Sequence, residues 1–292
     1  MVEYKNYMQE NQRILEEWQV EFERCGGQAS LFSWDGIMYQ GAIERENGTE
    51  DSNWVRFESP NDEVENKKWA ENPCRLLIMT KDQNLRGGGA WDSRIASFRK
   101  KNSDINDYQL TGGRFYKRLA YVIYGLAKAM EGELVSFEYV DSHREEVVQF
   151  IDTYPFAHVN CKKEGGGSRC PNESLSAAIE KFDSYLNQEV QLIDADVFLC
   201  CGSTSNGHYK DKGNYSLGFL IDHGYTFEYA GAQYQDIYCD KALHKIAIDA
   251  WHPSYFGNGV TDKVFYEECV DKFYDFAKDH EEFIKNRVDN LK

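Results

Sequence analysis

Three polar residues of different chemistry each close an apolar run. Leu76-Leu-Ile-Met79 breaks into Thr80-Lys-Asp-Gln-Asn84 around Asp82, Phe156-Ala-His-Val159 leads to Asn160, and Ala247-Ile-Asp-Ala-Trp251 delivers His252-Pro253-Ser254. An acid, an amide and an imidazole converging on one rim are the parts needed to read and activate a small polar ring: the carboxylate orients water, the amide offers one donor and one acceptor, and the imidazole donates where charge gathers. Taken singly, each has a plainer role as a turn, cap or strand-end residue. Their order along the chain makes the set informative.

The elements that must position them follow from periodicity. Apolar runs of this length, ended by turn formers, read as strands buried on both faces, and ligands collect beyond the carboxyl ends of such strands. A further run, Val197-Phe-Leu-Cys-Cys201, makes a fourth strand. Helical spacing of Tyr7, Ile14, Leu15, Trp18 and Phe22 predicts an N-terminal helix within residues 3–24, and Leu119, Val122, Ile123 and Leu126 predict another from about Arg114 to Met130. Pro171-Asn172, with Asn172 as N-cap, opens a helix striped by Ile179, Phe182, Leu186, Val190 and Ile193, and a last helix runs from about Thr261 to Val288. Residues 26–73 read as an irregular wrap and residues 208–238 as a polar, Tyr-rich excursion. Strands alternating with helices predict an α/β fold: three α/β/α layers around a central, mostly parallel four-stranded sheet. We expect one domain over residues 1–292, with 1–73 as helix and wrap and 74–292 as core.

A chain of 292 residues with 41% hydrophobic content can bury a sizeable core. Its net charge of -16 argues against indiscriminate adhesion to nucleic acid or anionic membrane, although the segment from Arg75 to Arg118 is locally basic. The first residues form an acidic, amphipathic stretch without a basic n-region or an apolar h-region, and no run of about 18 apolar residues occurs, which predicts a cytoplasmic protein without a membrane partner; no obligatory protein partner is evident. The 8 cysteines form no Cys-x-x-Cys pair and read as reduced thiols, so no metal or other cofactor is expected. Gly202-Ser-Thr-Ser-Asn-Gly207 lacks the spacing of a serine-hydrolase elbow, and neither Gly-rich loop ends in the Lys-Ser/Thr of a phosphate-binding P-loop.

The three strand ends, in this order, resemble the uracil-DNA glycosylase superfamily. Thr80-Lys81-Asp82-Gln83-Asn84 stands where that superfamily carries Gly-Gln-Asp-Pro-Tyr or Gly-Glu-Ala-Pro-Gly, Asn160 stands at its base-reading Asn, and His252-Pro253-Ser254 matches its final motif. The stretch from Phe156 through Lys163, and Gln191 to Gly202, is similar to the iron-sulfur branch. Glu164 replaces that branch's ligand and its paired N-terminal cysteines are missing, so no cluster is expected. The resemblance covers roughly residues 74–275 and implies a monofunctional DNA glycosylase acting on a flipped-out base.

On that resemblance Asp82 and His252 are catalytic: Asp82 orients water and offsets the oxocarbenium-like sugar, and His252 donates to the base's O2 as the anion forms. Asn160 reads the Watson–Crick edge, with Gln83, Asn84 and Trp91 lining the base pocket. Lys162, Lys163, Arg169 and Ser254 hold phosphates, and Phe256, beside Tyr255, is the wedge that fills the vacated stack. In the uracil-specific members a Tyr two residues after the Asp excludes C5 substituents. Asn84 in its place implies a pocket open beside C5, hence a C5-modified pyrimidine such as the glucosylated hydroxymethylcytosine of phage DNA, with Tyr225, Tyr229, Tyr234 and the Arg86–Trp91 loop sheltering the sugar. Trp91 blocking C5 instead, and a glycosylase-like fold that binds nucleotides or modified DNA without cleaving them, remain alternatives.

Overall fold

The computed structural model describes residues 4–37, 43–45, 54–56, 62–83, 89–90, 113–166, 170–203, 213–257 and 259–284. The first helix, α1 (Tyr7–Arg24), is capped by Asn6, whose side chain accepts from the Gln9 amide at 3.0 Å. Its buried face comprises Met8, Asn11, Ile14, Leu15, Trp18 and Phe22, the expected stripe with Tyr7 displaced toward the surface. The wrap contains short strands β1 (Ser33–Trp34), β2 (Gly36–Ile37), β3 (Ile43–Arg45) and β4 (Trp54–Arg56), then helix α2 (Asp62–Ala70).

Next come β5 (Leu76–Asp82), β6 (Gly89–Ala90) and α3 (Gly113–Met130), followed by α4 (Phe137–Ser142), α5 (Arg144–Thr153) and β7 (Phe156–Lys162). Helices α6 (Asn172–Lys181) and α7 (Asp183–Ile193) replace the single expected helix, because the chain breaks at Phe182. Asn172 is the first helical residue rather than the cap; Pro171 holds the cap position with extended backbone. The chain continues through β8 (Val197–Ser203), α8 (Tyr215–Asp222), β9 (Glu228–Tyr229), β10 (Ile237–Asp240), β11 (Lys245–Trp251) and α9 (Asp262–Asp279). Thr261 caps α9, and His280 ends it short of the expected Val288.

The principal sheet is mixed and seven-stranded, in the order β2-β7-β5-β8-β11-β10-β9, which corrects the expectation of four strands. The four expected strands form its parallel centre, β7-β5-β8-β11. Antiparallel β2 adds to one edge, and antiparallel β10 and β9 extend the other. The added strands span two to four residues. That is too short for a period-2 pattern to stand out from a loop. Within the excursion at 208–238 the apolar segment Tyr215-Ser-Leu-Gly-Phe-Leu220 forms α8, which also packs on the sheet.

Leu76 to Met79 are fully buried because alternate side chains serve two layers: Leu76 and Ile78 face the core under α3 and α9, while Leu77 and Met79 face α1, α6 and α7. Full burial of such a side chain is worth about 1.5–3 kcal/mol. All eight cysteines are free thiols, six of them buried. Among the described residues no helix is long and apolar enough to cross a membrane.

Candidate functional site

The parallel register places the chemistry-bearing residues on one rim. Thr80 pairs with Asn160 and Asp82 with Lys162 across β5 and β7, and His252 follows β11 directly. Because side chains alternate along a strand, His158 and Asn160 share the face that looks toward α3. They join through Thr80, whose Oγ1 donates to Asn160 Oδ1 at 2.9 Å and lies 2.8 Å from His158 Nε2. Phe115, from the first turn of α3, stacks toward His158 with ring centroids 6.5 Å apart and leans on His252 at 5.4 Å.

Asp82 is only partly buried, yet its Oδ2 is shielded and accepts no hydrogen bond among the described residues. A Cβ on Gly166 would stand 2.7 Å from that oxygen, so a larger residue there would push the Asp82 carboxylate aside. Burial raises the Asp82 pKa, while Lys162, the Cys170 thiol and Lys81 pull it down. Cys170 itself is pushed up to about 12, first by burial and then by the Asp82 carboxylate, so it stays a protonated thiol. Desolvation also lowers the pKa of Lys81, which lies 5.6 Å from the Tyr215 ring and whose charge is felt by both Asp82 and His252.

Burial, with Lys81 nearby, pushes His252 down to about 4, so at neutral pH it is an uncharged imidazole. The Ser254 backbone N–H donates to His252 Nδ1 at 3.3 Å, which leaves the ring proton on Nε2. The loop carrying it is held by Arg118 of α3, almost fully buried, which donates to the carbonyls of Pro253 (3.3 Å), Tyr255 (2.6 Å) and Val260 (2.8 Å) and to Asp262 Oδ1 (2.7 Å). Tyr255 stacks on Trp251 at 4.5 Å, whereas Phe256 is 79% exposed, with the Arg114 guanidinium 5.9 Å from its ring. Of the two wedge candidates, Phe256 therefore stands clear. Ser254 is exposed beside it.

Several expectations need correction. Lys163 cannot meet a phosphate: its ammonium is buried between Asp35 Oδ1 and Glu189 Oε2, the latter at 2.7 Å, and lies 4.9 Å from the Trp18 ring. Strand alternation turns it away from Lys162, which stays on the rim within the field of Asp82 and 3.5 Å from Glu164. Gln83 is buried in the wall, where its Oε1 accepts from Ser33 Oγ at 2.6 Å and its backbone carbonyl from Gly166 at 2.9 Å. The tyrosine shelter does not form. Tyr225 packs on Phe198 at the start of β8, Tyr234 bonds Asp279 at the far end of α9 (2.6 Å), and Tyr229 pairs with Tyr238 on the sheet edge. Asn84, Arg86, Trp91 and Arg169 lie outside the described residues.

Asn160 is fully buried, with its amide bonded to Thr80 and to Asp35. Thr80, Phe115, Arg118, His158 and Asp35 escaped the sequence reading, although the two-residue offsets of Thr80 from Asp82 and His158 from Asn160 mark a shared strand face. Among the described residues no three His, Cys, Asp or Glu side chains gather to hold a metal ion. No protein-family model, curated protein or solved structure matches the chain.

Proposed function

We propose that the protein is a DNA glycosylase that hydrolyses the N-glycosidic bond of a flipped-out, C5-modified pyrimidine, the hydroxymethylcytosine type with or without its glucose, and leaves an abasic site. What supports this most is the shared rim: a partly buried carboxylate at Asp82 whose Oδ2 accepts no hydrogen bond among the described residues, and a neutral imidazole with its proton on Nε2 at His252. Departure of the base needs both, a negative group for the oxocarbenium-like sugar and a donor for the leaving anion, while a charged imidazole would be harder to bury. The α3 turn puts Phe115 against both histidines, an aromatic face on which a planar base can stack. Phe256 fills the stack the base leaves, and Lys162 and Ser254 face the flanking phosphates.

A second reading, a fold that binds nucleotides or modified DNA without cleaving them, is favoured by the complete burial of Asn160 and His158 behind Phe115. One experiment separates the two. The protein is incubated with matched duplexes containing uracil, cytosine, hydroxymethylcytosine and its glucosylated form, and alkali-labile sites are counted. Release greatest from a modified cytosine, and reduced on the bulkiest base by Asn84→Tyr, is expected. Binding without abasic sites on any duplex establishes the second reading instead, and uracil as the best substrate removes the open C5 pocket.

A further inference from the structure

Behind the rim lies a buried polar chain that none of the proposed steps uses. Its root is Asp35, 5% exposed, in the bend between β1 and β2. Gly36 follows it at φ +116°, with the Asn11 side chain 2.6 Å from where a Cβ would stand, so the bend is fixed by a glycine that no other residue replaces without strain. The Asn11 Nδ2 donates to the Asp35 carbonyl at 3.0 Å. Asp35 Oδ2 accepts from the Asn160 backbone N–H at 2.9 Å and from Asn160 Nδ2 at 2.8 Å, while Oδ1 meets the Lys163 ammonium.

We propose that Asp35 is the positioning residue of the site: it fixes the orientation of the Asn160 amide and, through Thr80, the tautomer of His158. An ionised carboxylate can only accept. The Asn160 NH2 must therefore face Asp35, which turns Oδ1 to Thr80; the Thr80 hydroxyl spends its one proton on Oδ1, so His158 Nε2 must donate to Thr80 Oγ1. Every bond in the chain runs toward Asp35, which also meets the Lys163 ammonium. Turning the Asn160 amide over would set its oxygen against the carboxylate and break the chain, so the amide does not turn over to suit two bases. This deepens the glycosylase reading and rests on it in one respect: an amide locked in one orientation reads either the uracil-type or the cytosine-type edge, and not both.

The pair of carboxylates Asp35 and Glu189 shares the single ammonium of Lys163. Asp35→Asn keeps the shape of the bend and leaves Glu189 as the acid that Lys163 meets, whereas Glu189→Gln leaves Asp35 and Lys163 in contact. The first test needs no substrate. Two-bond nitrogen–proton NMR of histidine-labelled protein is expected to show His158 protonated on Nε2 in the wild type and in Glu189→Gln, and a mixture of tautomers in Asp35→Asn, where residue 35 can donate as well as accept. An Nδ1 proton in the wild type, or a single unchanged tautomer in folded Asp35→Asn, overturns the positioning role.

The second test measures kcat/KM on matched duplexes carrying 5-hydroxymethyluracil and 5-hydroxymethylcytosine. The wild type and Glu189→Gln should discriminate between them at least tenfold, and Asp35→Asn should lose most of that ratio while keeping measurable release. Equal rates in the wild type, or an undiminished ratio in Asp35→Asn, refute the fixed amide. Absence of base release from both duplexes refutes the glycosylase reading alone, and the tautomer measurement still decides the role of Asp35.

Discussion

Replacing Arg118 by methionine should cost the protein stability and disorganise the His252 loop together, because one buried guanidinium holds that loop to α3. Its bonds to the carbonyls of Tyr255 at 2.6 Å and Val260 at 2.8 Å are short and charge-assisted; that to Pro253 at 3.3 Å is weaker. Bonds of the first kind are worth about 1.5–3 kcal/mol each. Losing two gives about 3–6 kcal/mol, and the methionine thioether replaces part of the packing over the Phe265 ring, from which the guanidinium carbon lies 5.1 Å. Asp262 does not become an unpaired charge, since Lys117 remains 2.5 Å away. A net loss of about 3 kcal/mol is expected, a large share of the 5–15 kcal/mol by which domains are ordinarily stable. Urea unfolding of Arg118→Met beside the wild type, followed by circular dichroism and tryptophan fluorescence, measures it, and single-turnover base release reports the loop. A midpoint within error of the wild type would show that water replaces the guanidinium without cost and that Arg118 does not set the loop.

Asp82→Asn and His252→Ala should each fold normally and lower single-turnover base release by about 100-fold or more, the effect of deleting a transition-state electrostatic group; full activity in either variant removes its assigned role. Lys162→Met should weaken DNA binding and reduce its salt dependence, whereas Lys163→Met should lower the unfolding midpoint and leave that salt slope unchanged, as fluorescence titrations at several ionic strengths can show. Glu189 lies beside Asp35 in the dry core and is pushed up to about 8, chiefly by burial. The folded chain thus holds a proton there that the unfolded chain releases above the ordinary carboxylate range, so stability declines as pH rises between about 4.5 and about 8. Glu189→Gln should flatten that decline in urea midpoints measured across the range.

The sequence by itself determined the parallel centre of the sheet and three of the residues it delivers. Continuous apolar runs of the kind at Leu76–Met79 and Val197–Cys201 have one stable home, a strand covered on both faces, and the polar residue that ends each run must then appear at the sheet's edge. It also determined α1 and α3, whose stripes are long enough for their period to be unmistakable. Only the tertiary structure decided what those polar residues meet. Asp35, the Asn160–Lys163 stretch and Glu189 come together from three separate segments, and no local pattern announces that a lysine directly after a strand's last residue will meet two buried acids from elsewhere in the chain. Strand alternation could have turned Lys163 away from the rim and Lys162 toward it, but the partners that make burial of an ammonium tolerable exist only in the fold. The same holds for Tyr225 and Tyr234: composition makes a Tyr-rich excursion look like a sugar shelter, yet Tyr225 packs on Phe198 at the start of β8 and Tyr234 on Phe276 near the end of α9. Spacing along the chain fixes which face of an element a side chain occupies, and long-range packing fixes what lies opposite, because burial of polar groups is repaid only by partners brought from elsewhere in the sequence.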